Sequence, residues 1–213
     1  PRTMTKILLL SPHTDDVELG CGGSVAKFIE QGHKVLWIAF SVAEDSLPAD
    51  LPKDTLAREF EKVIDRYGLK PNDREILGFR VRHMSEYRQD VLDHLVKVRS
   101  EYAPDIVIGP SLHDYHQDHQ VVANEMIRAF KTTSSIISYE LPWNNVRFDS
   151  QLFISLDEGH LQKKWEALQE YRSQMLRSRG YFDREFIFGT ARMHGVQCGE
   201  KYAEAFEVIR WRL

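Results

Sequence analysis

Cysteine is nearly missing from this chain: Cys21 and Cys198 are the only two in 213 residues. That is too few for a disulfide framework or a thiolate-rich metal site. Long apolar runs are missing too, since none approaches the roughly 20 residues that a membrane-spanning helix needs. No signal-peptide-like stretch precedes the first strand-like segment. Nor does charge of one sign prevail: 28 Lys and Arg stand against 32 Asp and Glu, a net charge of −4. This balance supplies no general drive toward nucleic acid or an anionic membrane surface. There is no internal repeat, low-complexity tract or Pro/Gly/Ser linker. The expectation is one domain over residues 1–213, in a reducing, cytoplasmic setting, with no nucleic-acid partner, no stable membrane insertion and scope for homo-oligomers. Histidine, by contrast, is plentiful. With nine of them, a metal site would be built from imidazole and carboxylate.

The apolar pattern alternates between short continuous runs and helical spacing. Residues 6–11 carry Ile7-Leu8-Leu9-Leu10, which suits a strand buried on both faces. Residues 22–31 place Val25, Phe28 and Ile29 at helical spacing, with Gly32 at a left-handed cap position, and residues 34–40 (KVLWIAF) form a second strand. Together they make a βαβ unit with parallel strands. Further helices are expected after Asp54, over 86–102, over 118–131 and after Asp157, with strands over 105–109, 135–139, 151–156 and 205–211. Residues 173–199 give no clear pattern. The fold class is therefore α/β, a Rossmann-like three-layer domain with a mostly parallel central sheet.

In such sheets ligands bind beyond the carboxyl ends of the strands. Two polar clusters sit there. Pro12-His13-Thr14-Asp15-Asp16-Val17-Glu18 follows the first strand, and His113-Asp114-Tyr115-His116-Gln117-Asp118-His119 follows the strand at 105–109. One imidazole and one carboxylate from the first, plus one imidazole from the second, give the three protein ligands of a mononuclear catalytic zinc. Asp15, adjacent to a ligand but pointing elsewhere, is suited to take a proton from water whose pKa the metal has lowered. A lone His-Asp pair is ordinarily a matter of turns and caps; two clusters at successive strand ends favour a metal site. The glycines do not add a phosphate cradle. Starting at Gly20, the dinucleotide fingerprint is met by Gly22 but fails at Val25, so Gly20, Gly22 and Gly23 serve a tight turn and close helix packing.

These motifs resemble those of the LmbE/PIG-L-like zinc-dependent N-deacetylases. The family's Pro/Ala-His-x-Asp-Asp-x-Glu is matched by Pro12 to Glu18 and its His-x-Asp-His by His116 to His119, and the likeness continues through Arg58-Glu59, Pro104-Asp105, Ser173-Gln174 and Gly195-Val196-Gln197 to Tyr202–Phe206. The resemblance implies His13, Asp16 and His119 as ligands of Zn2+, or of another divalent metal such as Fe2+, and Asp15 as general base. It implies His116 as oxyanion stabiliser or proton carrier, with Asp118 orienting the His116 imidazole. The activity implied is hydrolysis of the acetamide of an N-acetylglucosamine-type sugar conjugate, a small-molecule partner, with protonated Asp15 or His116 supplying the leaving amine's proton. Where many members carry Thr-x-Gly-Glu, this chain has Ser41-Val42-Ala43-Glu44-Asp45-Ser46, a departure that bears on substrate more than on chemistry.

Substrate contacts are expected from Trp143, stacking on a sugar face, from Asn144, bonding a hydroxyl, and from Arg58, reaching an anionic portion. Packing and solvation are the alternatives for these three. His113 and Asp114 are expected to structure their loop, and Glu18 to cap a helix or bind a neighbouring group. Two rival functions share the motifs: a non-haem iron oxygenase, because two histidines and a carboxylate also make its facial triad, and a non-catalytic sugar-binding protein that retains a metal.

Overall fold

Residues 7–10, all fully buried, form the centre of the molecule. In a computed structural model that describes residues 4–213, they are the middle of β1 (Lys6–His13). β2 (Lys34–Ser41) pairs parallel on one side of β1, and β4 (Ile106–Pro110) pairs parallel on the other. β3 (Arg74–Ile76) extends the sheet beyond β2, and β5 (Ser135–Tyr139) extends it beyond β4. Antiparallel β6 (Leu152–Leu156) and β7 (Tyr202–Arg210) complete a seven-stranded sheet of order β3-β2-β1-β4-β5-β7-β6. The mostly parallel sheet is thus observed.

Side-chain alternation along β1 and β2 divides the core into two layers. Ile7, Leu9, Val35 and Trp37 pack with α1 (Asp16–Glu30), α2 (Thr55–Arg66) and α5 (Glu158–Leu168) through Val25, Phe60 and Leu168. Leu8, Leu10, Leu36 and Ile38 face α3 (Arg88–Glu101) and α4 (Gln117–Phe130), meeting Val91, Leu95, Val122 and Met126. Each such buried aliphatic side chain contributes roughly 1.5–3 kcal/mol, so the sheet holds its helices on both faces. No helix among the described residues is long and apolar enough to cross a membrane.

Two expectations need correction, and two stretches without a legible pattern hold elements. α1 begins at Asp16, not Gly22, and kinks at Cys21 (φ −150°, ψ 27°); its glycines hide it from propensity yet are needed for packing. A Cβ on Gly20 would lie 2.4 Å from the Tyr139 ring, and one on Gly23 would lie 2.6 Å from Leu156. β3 is a half-buried edge strand of three residues, too short to show alternation. The 173–199 region holds the end of α6 (Arg172–Met175) and all of α7 (Arg184–Cys198). α7 buries only Ile187, Ala191, His194 and Gly195, a face too small and polar to read as apolar periodicity. β7 starts at Tyr202, ahead of the expected residue 205.

Candidate metal centre and its cleft

β1 and β4 are neighbours at the point where the strand order reverses, and both polar clusters leave the sheet there. His13 closes β1, Asp15 is the N-cap of α1 and Asp16 its first residue. The His13 backbone N–H donates to Asp16 Oδ2 at 2.6 Å, folding that carboxylate back toward the strand end. His116 is the N-cap of α4, and His119 lies in its first turn.

Three candidate ligand atoms converge. His13 Nδ1 lies 3.1 Å from His119 Nε2 and 3.4 Å from Asp16 Oδ2, and the third side, His119 Nε2 to Asp16 Oδ2, is 3.2 Å. Tetrahedral bonds of about 2.0–2.1 Å to zinc set their donor atoms roughly 3.3 Å apart, so the triangle fits such an ion. His116 also brings a ring nitrogen within 4.8 Å of His13 and His119. However, its Nδ1 accepts the Asp118 N–H at 3.2 Å, leaving Nε2 for other work. The tighter set is His13, Asp16 and His119.

Carboxylates behind the two imidazoles set their tautomers. Asp118 Oδ2 lies 2.9 Å from His13 Nε2, which leaves Nδ1 facing the triangle. Asp114 Oδ2 lies 2.7 Å from His119 Nδ1, which leaves Nε2 facing it. This carboxylate-histidine arrangement is the usual support of a metal ligand. It corrects the expectation that Asp118 orients His116. At the second position of α4 the Asp118 side chain turns toward β1, where it also accepts the N–H groups of Arg82 (2.7 Å) and Met84 (3.3 Å). It is the Asp118 backbone that His116 meets. Asp114 does more than shape its loop, because its Oδ1 also accepts the His116 N–H at 2.8 Å. His113 does serve the loop, pairing with Glu207 at 2.8 Å.

Electrostatics divide these groups by task. Burial opposes charge on both imidazoles, but Asp118 and Asp16 lift His13 to a pKa of about 9, and Asp16 and Asp114 lift His119 to about 10. A field that attracts positive charge so strongly also suits a divalent cation. Asp16 is buried, yet its two histidine neighbours hold it far below the usual carboxylate range. Asp15, which makes no capping hydrogen bond, is pushed up to about 6 by burial and by Asp16. His116 is lowered to about 4 by burial and by the neighbouring imidazoles, which keeps it neutral with its proton on Nε2.

Glu18 completes the first motif from within. Its carboxyl is fully buried against the Tyr171 hydroxyl, which also lies 2.6 Å from the Thr14 carbonyl. A phenol has one proton to give; if it goes to Thr14, a neutral Glu18 can donate to the phenol oxygen, in keeping with burial holding the Glu18 pKa well above its usual value. Glu18 therefore braces the turn that carries His13 and Asp15.

The cluster opens into a cleft of about 200 Å³, lined by Asp15, His116, Trp143 and Asn144 among others. Trp143 stacks on Tyr181, with ring centroids 3.8 Å apart and planes at 11°. Ala43 and Ser46, from the segment that departs from the family pattern, also line it. Arg58 does not: it sits on the exposed side of α2 in an ion pair with Asp54 at 3.0 Å, a correction to its expected substrate role. Sequence reasoning missed Gln174, Arg177, Arg179 and Tyr181, all in the cleft lining. The Ser173-Gln174 pair was the one signal that pointed to this segment.

Comparison with known proteins follows the same lines. The uncharacterized deacetylase YaiS of Escherichia coli K12 is 26% identical over 180 residues, 78% of this chain and 90% of the relative. Two solved structures show the same fold. N,N'-diacetylchitobiose deacetylase from Pyrococcus horikoshii has a TM-score of 0.79 at 19% identity, covering 98% of this chain and 85% of the other. The 4-carboxy-2-hydroxymuconate hydratase of Pseudomonas putida KT2440 has a TM-score of 0.74 at 20% identity, covering 99% and 98%. Fold alone therefore does not decide the reaction. The profile described as PIG-L, GlcNAc-PI de-N-acetylase, matches residues 8–130, which include both polar clusters. With more than half its length matched, the chain belongs to the PIG-L deacetylase family.

Proposed function

We propose that this protein is a zinc-dependent hydrolase that removes the acetyl group from an N-acetylglucosamine-type amino sugar conjugate. The observation that carries this reading is the triangle of His13 Nδ1, Asp16 Oδ2 and His119 Nε2 beside Asp15 in one cleft. A divalent cation held by these three atoms would supply Lewis acidity, polarising the amide oxygen and making water acidic.

The chain's own residues divide the remaining work. Asp15 takes a proton from the attacking water, whose oxygen bonds to the amide carbon. Its raised pKa lets it keep that proton until the C–N bond breaks and the amine needs it. His116, neutral and protonated on Nε2, donates a hydrogen bond to the amide oxygen as negative charge gathers there. Between the two candidates for proton delivery, this division favours Asp15. Acetate and the free amine are the products. Asn144 offers a side-chain amide to a sugar hydroxyl, and Trp143 gives the cleft an aromatic wall.

The experiment is to measure metal content and acetate release across N-acetylglucosamine conjugates, for the native protein and for Asp15→Asn. Turnover of the variant should fall about 10²–10⁴-fold with zinc content retained. A folded protein that binds no divalent metal, or a variant with unchanged turnover, overturns the reading. Acetate release without oxygen separates hydrolysis from iron oxygenase chemistry, and sugar affinity with no acetate release identifies a binding protein.

A further inference from the structure

Lys164 and Glu204 form an ion pair in the interior, 2.8 Å apart and each 4% exposed. Neither lines the metal cleft, and both lie beyond residues 8–130, which the family profile matches. Lys164 comes from α5, and Glu204 comes from β7, in the 202–206 stretch of the family resemblance. Both reach into α1.

In an unbroken helix the N–H groups of Gly23 and Ser24 donate to the carbonyls of Leu19 and Gly20. Here Cys21 leaves helical geometry, and groups on both sides of that break meet the ion pair. The Gly23 N–H donates to Glu204 Oε1 at 3.1 Å, and the Ser24 N–H and hydroxyl donate to Glu204 Oε2 at 2.7 and 2.6 Å. On the other side the Lys164 ammonium donates to the Leu19 carbonyl at 2.8 Å. A side chain inserted into the helical ladder is a recognised cause of a kink, and here two of opposite charge are inserted. Glycines make room for them. A Cβ on Gly22 would lie 3.0 Å from Lys164 Cγ, and one on Gly23 would lie 3.2 Å from Glu204 Oε1.

Stability alone does not call for this pair. Burying two charges costs desolvation that their attraction barely returns, and apolar residues of like volume commonly serve as well. Its particular effect is on the turn ahead of the break. The Leu19 N–H donates to the Asp15 carbonyl at 3.1 Å, closing the turn that carries Asp15, Asp16 and Glu18. The strand end of that turn is pinned by the His13 N–H on Asp16 and by Tyr171 on the Thr14 carbonyl. Its far end is pinned by Lys164 through the Leu19 carbonyl. A straight α1 would carry the same turn at a different angle to β1.

Resting on the deacetylase reading above, we propose that Lys164 and Glu204 are positioning residues for that reaction. By holding α1 broken at Cys21, they set the angle at which the 15–19 turn presents Asp15 and Asp16 to the cleft. Neither touches a reacting atom; both act through the backbone of α1.

The test uses zinc and methyl N-acetylglucosaminide as probes. A double variant, Lys164→Met with Glu204→Gln, removes both charges at nearly constant volume. Val91→Ala is the control, loosening the opposite core layer away from the turn. Zinc affinity is read by chelator competition, kcat and KM by acetate release, and stability by urea denaturation. The double variant should bind zinc about tenfold more weakly and lose about 10–100-fold in kcat, with KM near the native value. Val91→Ala should lower stability and leave zinc affinity and kcat near native. A loss confined to kcat assigns the pair to Asp15, and one confined to zinc affinity assigns it to Asp16. If the double variant does not fold, Glu204→Gln alone, which keeps the side chain's volume and one acceptor, is read in the same way with a smaller loss expected. A folded variant changed only in stability or KM overturns the positioning role, as does an equal loss of kcat and zinc affinity in Val91→Ala. Zinc binding with no acetate release counts against the deacetylase reading and leaves zinc affinity to decide the role of the pair. Acetate release and zinc binding that the double variant matches leave the reading standing and remove only the positioning role. A native protein that binds no zinc removes both.

Discussion

Asp114 shows how one side chain can serve two others. One of its carboxylate oxygens meets His119 Nδ1, and the other accepts the backbone N–H of His116. It thereby fixes which nitrogen His119 turns to the metal triangle and holds the N-cap of α4 in place. An asparagine has a single acceptor oxygen, so one of the two N–H groups would face an amide NH2 instead. On the proposed zinc site, Asp114→Asn should therefore weaken zinc binding about 10–100-fold, measured by competition with a chromophoric chelator, while thermal stability changes much less. Unchanged zinc affinity would show that Asp114 acts on the loop alone. The proposed ligands and Asp15 were legible in the sequence because strand ends place both polar clusters together and the motifs' resemblance to the family picks these residues out of them. The supports were not. Asp114 and Asp118 neighbour both His116 and His119 along the chain, and only three-dimensional contact reveals that Asp118 serves His13, 105 residues away.

Elements with continuous apolar runs or a clear helical face, such as β1, β2, β5, α2 and α5, could be read from the sequence because their period is set by burial. α1 could not be bounded, because its first two turns serve the site and the packing before they serve helix propensity. Gly20 marks the conflict. A Cβ there would meet three atoms of Tyr139 at 2.4–2.9 Å. Tyr139 has little room to yield, since its hydroxyl donates to the Leu10 carbonyl at 3.0 Å and its side chain is 1% exposed. Alanine's better helix propensity, worth up to about 1 kcal/mol over glycine, is therefore outweighed by overpacking. Gly20→Ala should lower stability by about 1–3 kcal/mol, read from urea denaturation. Gly78, whose Cβ would meet nothing within 4 Å, is the matched control and should change little on substitution by alanine.

At the scale of the whole molecule, the first 130 residues carry the proposed metal ligands, Asp15 and His116, while the remainder braces them and narrows the cleft. Tyr171 clamps the first ligand turn, and Trp143, Arg179 and Tyr181 line the opening. α7 is joined to the chain just after β5 through His194, whose Nε2 lies 2.9 Å from Glu140 and whose Nδ1 lies 2.7 Å from Gln197. Burial disfavours the charged imidazole, but these two partners, together with the Glu140 and Glu204 charges, raise its pKa above the ordinary value of 6.5. The folded state thus holds this proton more tightly than the unfolded chain does. The resulting stabilisation is fully present below pH 6.5 and is lost as the pH rises through the raised folded value. Glu140→Gln keeps the shape of the contact but removes its charge. The native protein should therefore exceed this variant in unfolding free energy most at about pH 6, with the gap closing as the pH is taken into the alkaline range. Titration of the metal cluster is common to both proteins and cancels in the difference. A gap that stayed constant with pH would mean that Glu140 holds α7 through packing and neutral hydrogen bonding, without a charged His194.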